Sequence, residues 1–530
     1  MNDLKTIFGE ALLSYLLAVD VTELEEGLLT TGQAEVISSL RQLVQAAEER
    51  DPGLVRRILG EALIEYNTEK NTTFANAARI TSGGQIPQPA VTGEGALGEL
   101  LILARDAYPA LLMPHPKDVS FLDHPPFGVA FFRHPVHSAF CRAVLSDANL
   151  KLLFPGEKDT VDSTSMAALA GVQSVLVFST GHGGGLQLIL LADRLLRAAY
   201  YRVLLDGELA LDSYLSSVQQ VLDAVGNMAA GRESDVPVIF GLSNIGLPVG
   251  ASIAMAWATL HSASQVDSEL LPAAVTSITS ALIVMRPMRI LHCAAFRPES
   301  PDDSVAAFER CQPAILAWSR ETDRLRELAQ LAILLASPDD AFLAAQQVSR
   351  TILDPFYLTP MKQWRGGQML APTALTSLDE DDIRRSQEWG QRVSGHPRTL
   401  DIAMRRMISA ITERIDLIDG FIDAVLTWEN MFSGAPETTL RVCGAIAWLL
   451  EPDDHNKRAA LFDELRDLYS KRSGLVHGSI ETLADTATCR NRAVRVGLES
   501  LKRLYANPSL LHEKTSAVRG SKILMGAVSA

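Results

Sequence analysis

Cysteine is scarce and scattered in this chain. Its 530 residues include five, Cys141, Cys293, Cys311, Cys443 and Cys489, and no two form a CxxC pair. That spacing excludes a disulfide framework and a cysteine-built zinc site, and it fits a reducing compartment. Histidine offers no better metal site. His115, His124, His134 and His137 crowd one region, but three of them adjoin prolines and no HExxH or matching carboxylate spacing accompanies them. No metal or other cofactor is therefore expected. Positive charge is also short: 48 Lys and Arg stand against 63 Asp and Glu, a formal net charge of −15. Nucleic acid would not be drawn to the whole surface, only to a local basic patch. A Gly-rich loop ending in GK[ST] is missing, which excludes a P-loop phosphate cradle. The GHGGG run at Gly181–Gly185 suggests an esterase oxyanion hole, but the nucleophile elbow GxSxG is absent, since GLSNIG does not fit it. A turn is the expected reading.

Long apolar runs exist but do not read as membrane spans. Ser163–Ala192 and Val236–Val266 carry no Asp, Glu, Lys or Arg, and each is long enough to cross a bilayer. The first holds His182 and the glycine run; the second holds Pro237, Asn244, Pro248 and His261. Buried segments of a folded domain suit that composition better, so no membrane partner is expected. The start, MNDLKTIFGE, has no basic region followed by an apolar run, and a cytoplasmic location is the expectation.

What is present reads as a mainly α protein with an α+β middle domain. At 47% hydrophobic and 21% charged, the chain is a folded globular type. Residues 1–72 form short helical patterns and weakly resemble a helix-turn-helix, with AVDV at the turn. Glu23, Glu25 and Glu26 then fall where a recognition helix would approach phosphates, so a degenerate module for protein contacts is expected and DNA is not. Residues 73–95 have a linker's Gly, Pro, Ser and Thr content. Residues 96–370 mix strand-like segments (FGVAFF, SVLVFST, RVLLDGE, VPVIFGLS, RILHCAAF) with helical ones, as an α+β domain of possible sensing role. Residues 377–512 read as a helical bundle and 513–530 as a tail.

Two helices of that bundle each place one charge on an apolar stripe. In the helix from about Lys457 to His477 the row is Leu461, Leu465 and Leu468, then Arg472, then Leu475 and Val476. In the helix from about Ile415 to Phe432 it is Ile418, Ile422 and Val425, then Glu429, then Phe432. A buried unpaired charge is costly, so Glu429 and Arg472 are expected to meet inside the bundle. Such a pair can do no more than fix helix register. His477 suggests otherwise. On a helix it lies about 140° around and about 7.5 Å along from Arg472, where both could flank one phosphate. Gly478 is a natural helix stop, which puts His477 at the negative end of the dipole, while Arg472 opposes its protonation. A histidine so placed could titrate near neutrality. The spacing alone is weak, since Arg286 and His292 in MRPMRILHC come close to it in a strand-like segment.

From about Leu378 to Tyr505 the chain resembles the Apea-like HEPN domains, helical bundles of prokaryotes often found in anti-phage and abortive-infection proteins. HPRTLDIAMRRMISA, RIDLIDGFIDAVLTWENMF, ETTLRVCGAIAWLL and LRDLYSKRSGLVHG carry the resemblance in family order; the last, with its Arg-x4-His motif after a Leu-Tyr pair, is the most specific. The resemblance implies metal-independent cleavage of RNA by a composite site of two protomers, hence a homodimer. Arg472 would stabilise charge on the scissile phosphate, and His477 would transfer protons as the 2′-OH attacks, leaving 2′,3′-cyclic phosphate and 5′-OH ends. Glu429 would orient Arg472, Arg441 would support the same cluster, and Lys471 and Ser473 would contact substrate. The helix CRNRAVRVGLESLKRLY adds Arg490, Arg492, Arg495, Lys502 and Arg503 as a basic face for RNA, or as a solvated face with Arg495–Glu499–Lys502 pairing. The rival readings are a non-catalytic module that binds nucleotides or partners, and a regulatory protein acting on DNA through residues 1–72.

Overall fold

The computed structural model describes residues 2–22, 29–88, 91–114, 127–156, 166–207, 209–272, 277–296, 301–339, 341–364, 375–434, 437–476 and 483–526. The chain is mainly α with an α+β part. It opens with helices α1 (Asn2–Leu17), α2 (Thr31–Arg50), α3 (Val55–Ile64), α4 (Phe74–Thr81) and α5 (Gly95–Leu111). A short hairpin of β1 (Tyr66–Asn67) and β2 (Thr72–Thr73) joins α3 to α4. Leu4, Phe8, Leu12 and Leu16 supply the inward stripe of α1, and Thr30 with Gln33 closes a capping box at the start of α2.

The middle of the chain holds α6 (Pro135–Ser146), α7 (Met166–Ala170), α8 (Leu191–Asp206), α9 (Leu211–Ala229) and the long α10 (Pro301–Leu335). Two antiparallel sheets accompany them. The smaller has the order β10–β3–β4, from β3 (Gln173–Phe178), β4 (Gly183–Gln187) and β10 (Ile290–Ala295). The larger has the order β12–β11–β5–β9–β8–β7. It comprises β5 (Ser234–Ser243), β7 (Ser252–Ala254), β8 (Ala258–Ser262), β9 (Ser280–Met288), β11 (Gln346–Ile352) and β12 (Met361–Trp364). The central strand β5 is buried from Val236 to Ser243 without the alternation of a half-exposed strand, because both its faces are covered. A small parallel pair, β6 (Ile245–Gly246) with β13 (Thr376–Ser377), leads into the bundle.

The bundle consists of α11 (Glu380–Val393), α12 (Asp401–Thr412), α13 (Leu417–Phe432), α14 (Thr438–Leu450), α15 (His455–Val476), α16 (Leu483–Ala506), α17 (Pro508–Leu511) and α18 (Ser516–Leu524). Helix α13 is its axis, touching α12, α14, α15, α16 and α18. Phe421, Val425, Trp428 and Phe432 fill its inward face, and the Trp428 indole donates to the Ala493 carbonyl at 3.0 Å. Gly497 of α16 leaves room for Met407 of α12, whose Cε would lie 2.3 Å from a Cβ there. Helix α10 packs along α11, α12 and α16.

Several expected elements come out differently. FGVAFF falls in a 3-10 turn over Gly128–Arg133, where the buried Phe127 and Phe131 rings pack at a tilt of 42° with centroids 5.5 Å apart. The described part of RVLLDGE, residues 202–207, is the end of α8 and its cap. Its Val203 continues the helical series Leu195, Leu196 and Ala199, and Gly207, at φ 85°, stops the helix. Residues 73–81, read as linker, continue from β2 into α4, which Thr73 caps while Ala75 and Ala78 turn inward. The tail contains α18, docked on α13 and α14. The GHGGG run, expected as a turn, is one only in part: Gly181, at φ 89°, and His182 close the β3–β4 hairpin, while Gly183–Gly185 pair with β3 as the start of β4. The acidic stretch of the helix-turn-helix resemblance at 23–28 lies outside the described residues, as do His115 and His124. His134 and His137 are buried in α6 contacts, to Asp106 and the Ile189 carbonyl respectively. Among the described residues no cluster suits a metal ion, and no helix is long and apolar enough to cross a membrane.

One buried acid in the middle region sets a pH dependence. Asp354 accepts from the Phe356 amide at 2.9 Å through one oxygen, while its other oxygen is buried with no hydrogen-bond partner. Burial pushes its carboxyl up to about 7, against the pull of the Phe356 amide and Arg194. The folded state thus holds this proton more tightly than the unfolded chain. The resulting stabilisation is complete below the ordinary Asp range and is lost as pH rises towards 7. Asp354→Asn, which mimics the protonated acid, is expected to stabilise the fold by about 2 kcal/mol at pH near 8 and hardly at all near 4. Thermal unfolding of both proteins at the two pH values checks it; an equal shift at both would contradict the assignment.

Candidate functional site

Helix α13 starts where the Asp416 side chain caps the Ile418 amide, and its last turn carries Glu429. Helix α15 crosses beside it with Leu465 and Leu468 buried and Tyr469 and Arg472 on its final turns. Those two side chains, three apart and so on one face, bracket the Glu429 carboxylate. The Tyr469 hydroxyl donates to Glu429 Oε1 at 2.5 Å. Arg472 Nη1 lies 3.9 Å from the same oxygen, an ion pair beyond hydrogen-bond length, with side chains 20% and 21% exposed. The meeting of Glu429 and Arg472 is therefore as expected from the two apolar rows, though at the bundle edge rather than in its centre.

The geometry leaves Arg472 loosely held. Its Nε is buried without a hydrogen-bond partner, and the carboxylate is satisfied chiefly by Tyr469. A guanidinium with N–H groups to spare and a carboxylate setting its direction is suited to receive an anion. Burial, the hydrogen bond to Glu429 and that group's charge push the Tyr469 phenol up to about 12, against Arg472 and Thr439, so it stays a donor at neutral pH. Tyr469→Phe is expected to cost about 1 kcal/mol, the worth of one hydrogen bond to a charged group at a half-buried site. Equilibrium unfolding in urea measures it.

The remaining expected residues divide. His477 lies outside the described residues, one position past the end of α15 at Val476. Lys471 is exposed and pairs with Asp467 at 3.0 Å along the helix, and Ser473 is half-buried beside Arg472. Arg441 does not join the cluster as expected. It donates to Ser521 Oγ of α18 at 3.3 Å and lines a groove with Trp448, Phe462 and Leu524. The reason is helical phase: Thr439 of α14 reaches Tyr469, and two residues later the side chain points about 200° away.

The basic helix α16 is largely engaged. Arg492 forms a fork with Glu464 of α15 at 2.6 and 2.9 Å. Arg495 donates to the Pro338 carbonyl at 2.9 Å and lies over the Phe342 ring at 4.6 Å, so it does not make the expected pair with Glu499. Lys502 is half-buried, and only Arg503 of these five is plainly exposed among the described side chains, apart from the partly covered Arg490.

Two polar features were missed. Tyr469, of the Leu-Tyr pair, has no expected role in the sequence; its spacing of three from Arg472 is the signal for one. Asp423 is 2% exposed, and accepts from Arg406 at 2.5 Å, Arg414 at 2.7 Å and Ser409 at 3.0 Å. No family model matches the chain, and none of the curated proteins or solved structures matches it either.

Proposed function

We propose that the chain is a metal-independent endoribonuclease effector of the HEPN type, acting as a homodimer in defence against phage. The observation that carries the reading is the Glu429–Arg472 pair at the end of α15. It sets a loosely held guanidinium five residues before His477, the histidine of the Arg-x4-His motif in the sequence. In this reading Arg472 binds a non-bridging oxygen of the scissile phosphate and gains strength as charge grows there. His477 takes the 2′-OH proton while the oxygen attacks phosphorus, the bond from phosphorus to the 5′-oxygen of the next nucleotide breaks, and that oxygen takes a proton from solvent. The products are a 2′,3′-cyclic phosphate and a 5′-OH. Glu429 and Tyr469 act as positioning residues: the carboxylate aims the guanidinium, and the phenol takes up the carboxylate's hydrogen-bonding capacity.

Expression in cells tests the reading. Wild type is expected to arrest growth and fragment cellular RNA, and Arg472→Ala made at equal abundance is expected to do neither. Equal arrest by both proteins would overturn it. The rival, a non-catalytic binding module, predicts no RNA fragmentation by either protein.

A further inference from the structure

Helix α10 meets α12 through a ladder of charges three residues apart on α10. Glu321 takes Arg398 at 2.7 Å, and Arg324 grips Asp401 through Nε at 3.0 Å while donating to the His396 carbonyl at 2.8 Å. The third rung is stretched: Arg405 Nε stands 3.9 Å from Glu327 Oε2. Beside it lies a cavity of about 430 Å³ lined by Arg326, Glu327, Arg405, Arg406, Ser409 and Glu413, with isoleucines on its apolar side.

This is an unusual place for three guanidiniums in a chain of net charge −15. Arg406 is set from behind. The buried Asp423 carboxylate takes its Nη1 and also ties down Arg414 and Ser409, so the fork is oriented before any ligand arrives. Arg405 is 58% exposed at the mouth, and Arg326, 4% exposed, forms part of the wall, with Nη2 3.2 Å from Glu327 Oε1. Two carboxylates, Glu327 and Glu413, also face the cavity. Glu327 is buried enough that its carboxyl is pushed up to about 7 against Arg326 and Arg405, with Asp323 and Glu413 adding to the rise.

We propose that the cleft between α10 and α12 is a binding site for a phosphate group, in which Arg405 and Arg406 take the oxygens and Glu327 is the competitor the ligand displaces. A phosphate alone would leave much of the cavity over, room for the organic part of a small phosphomonoester against the isoleucine side. The site is independent of whether the bundle cuts RNA.

Calorimetry on the full chain at neutral pH tests it, with ribose 5-phosphate and inorganic phosphate as separate probes and chloride at equal ionic strength as control. Saturable binding of at least one phosphate probe is expected, weakened at least about tenfold by Arg405→Ala. Glu327→Gln is expected to tighten it by about tenfold, which a merely structural glutamate would not do. Tighter binding of ribose 5-phosphate assigns the phosphate to an organic ligand, and equal binding assigns it to the free ion. Heat reproduced by chloride, binding of neither probe, or affinities unmoved by both substitutions would overturn the site.

Discussion

Replacing Arg519 with methionine is expected to destabilise the protein by about 4 kcal/mol, a large share of the 5–15 kcal/mol that typically separates folded from unfolded. The side chain is fully buried, and its hydrogen bonds go to carbonyls and a hydroxyl, with Glu513 acting on it through charge alone. Its Nε donates to the Leu510 carbonyl at 2.9 Å and its Nη1 to Met431 at 2.9 Å. Its Nη2 reaches the carbonyls of Leu511 at 3.2 Å and Glu513 at 3.4 Å. The carbonyls of Met431, Leu510 and Leu511 lie at the ends of α13 and α17, where helices leave acceptors unsatisfied. One guanidinium thus caps two helix ends and locks α18 onto α13. Burial pulls its pKa down to about 10, against the charge of Glu513, which leaves it charged at neutral pH. Methionine matches the shape roughly and supplies no donor, so the acceptors would be stranded. Urea unfolding measures the loss; a cost below about 1 kcal/mol would mean that α18 is an ornament to the bundle rather than part of it.

The second large effect concerns activity. Arg472→Ala is expected to lower the rate of RNA cleavage by at least about a hundredfold, the usual loss when a group that stabilises transition-state charge is removed. Its effect on stability should be no more than about 1 kcal/mol, because the ion pair is long, partly exposed and without a hydrogen bond. Glu429→Gln keeps an acceptor for Tyr469 and loses only the charge that aims Arg472, so an intermediate loss of about tenfold is expected. A purely structural pair predicts the reverse: stability would fall with either change and cleavage would follow only the folded fraction. Measuring cleavage rate and unfolding free energy on the same three proteins separates the two.

How far the sequence revealed this arrangement depends on what each element packs against. Glu429 and Arg472 could be paired from two apolar rows because each charge interrupted its own stripe. The rows were only approximate guides to burial. On α13 the buried face runs through Phe421, Ala424, Val425 and Trp428, so the Ile418–Ile422 stripe is its flank, and Asp423 went unnoticed within the core. Arg441 was drawn to the wrong cluster because helical phase places a side chain only relative to its own helix, and the groove it faces is made by α18. That helix was illegible for a related reason. Its stretch is short and polar, and the residue that anchors it, Arg519, reads as a surface charge until the carbonyls it serves are brought together by tertiary packing. In α8 a seven-residue window rich in Val and Leu looked like a strand, and only the longer period from Leu191 onwards identifies a helix.

The most direct measurement is end-group analysis of RNA incubated with the purified full chain in EDTA, alongside His477→Ala of unchanged circular dichroism. Fragments bearing 2′,3′-cyclic phosphate and 5′-OH ends from the wild type, reduced at least about a hundredfold by the substitution, are the predicted result. Intact RNA, 3′-OH ends, or cleavage that persists in His477→Ala would contradict the assignment of Arg472 and His477 to phosphodiester chemistry.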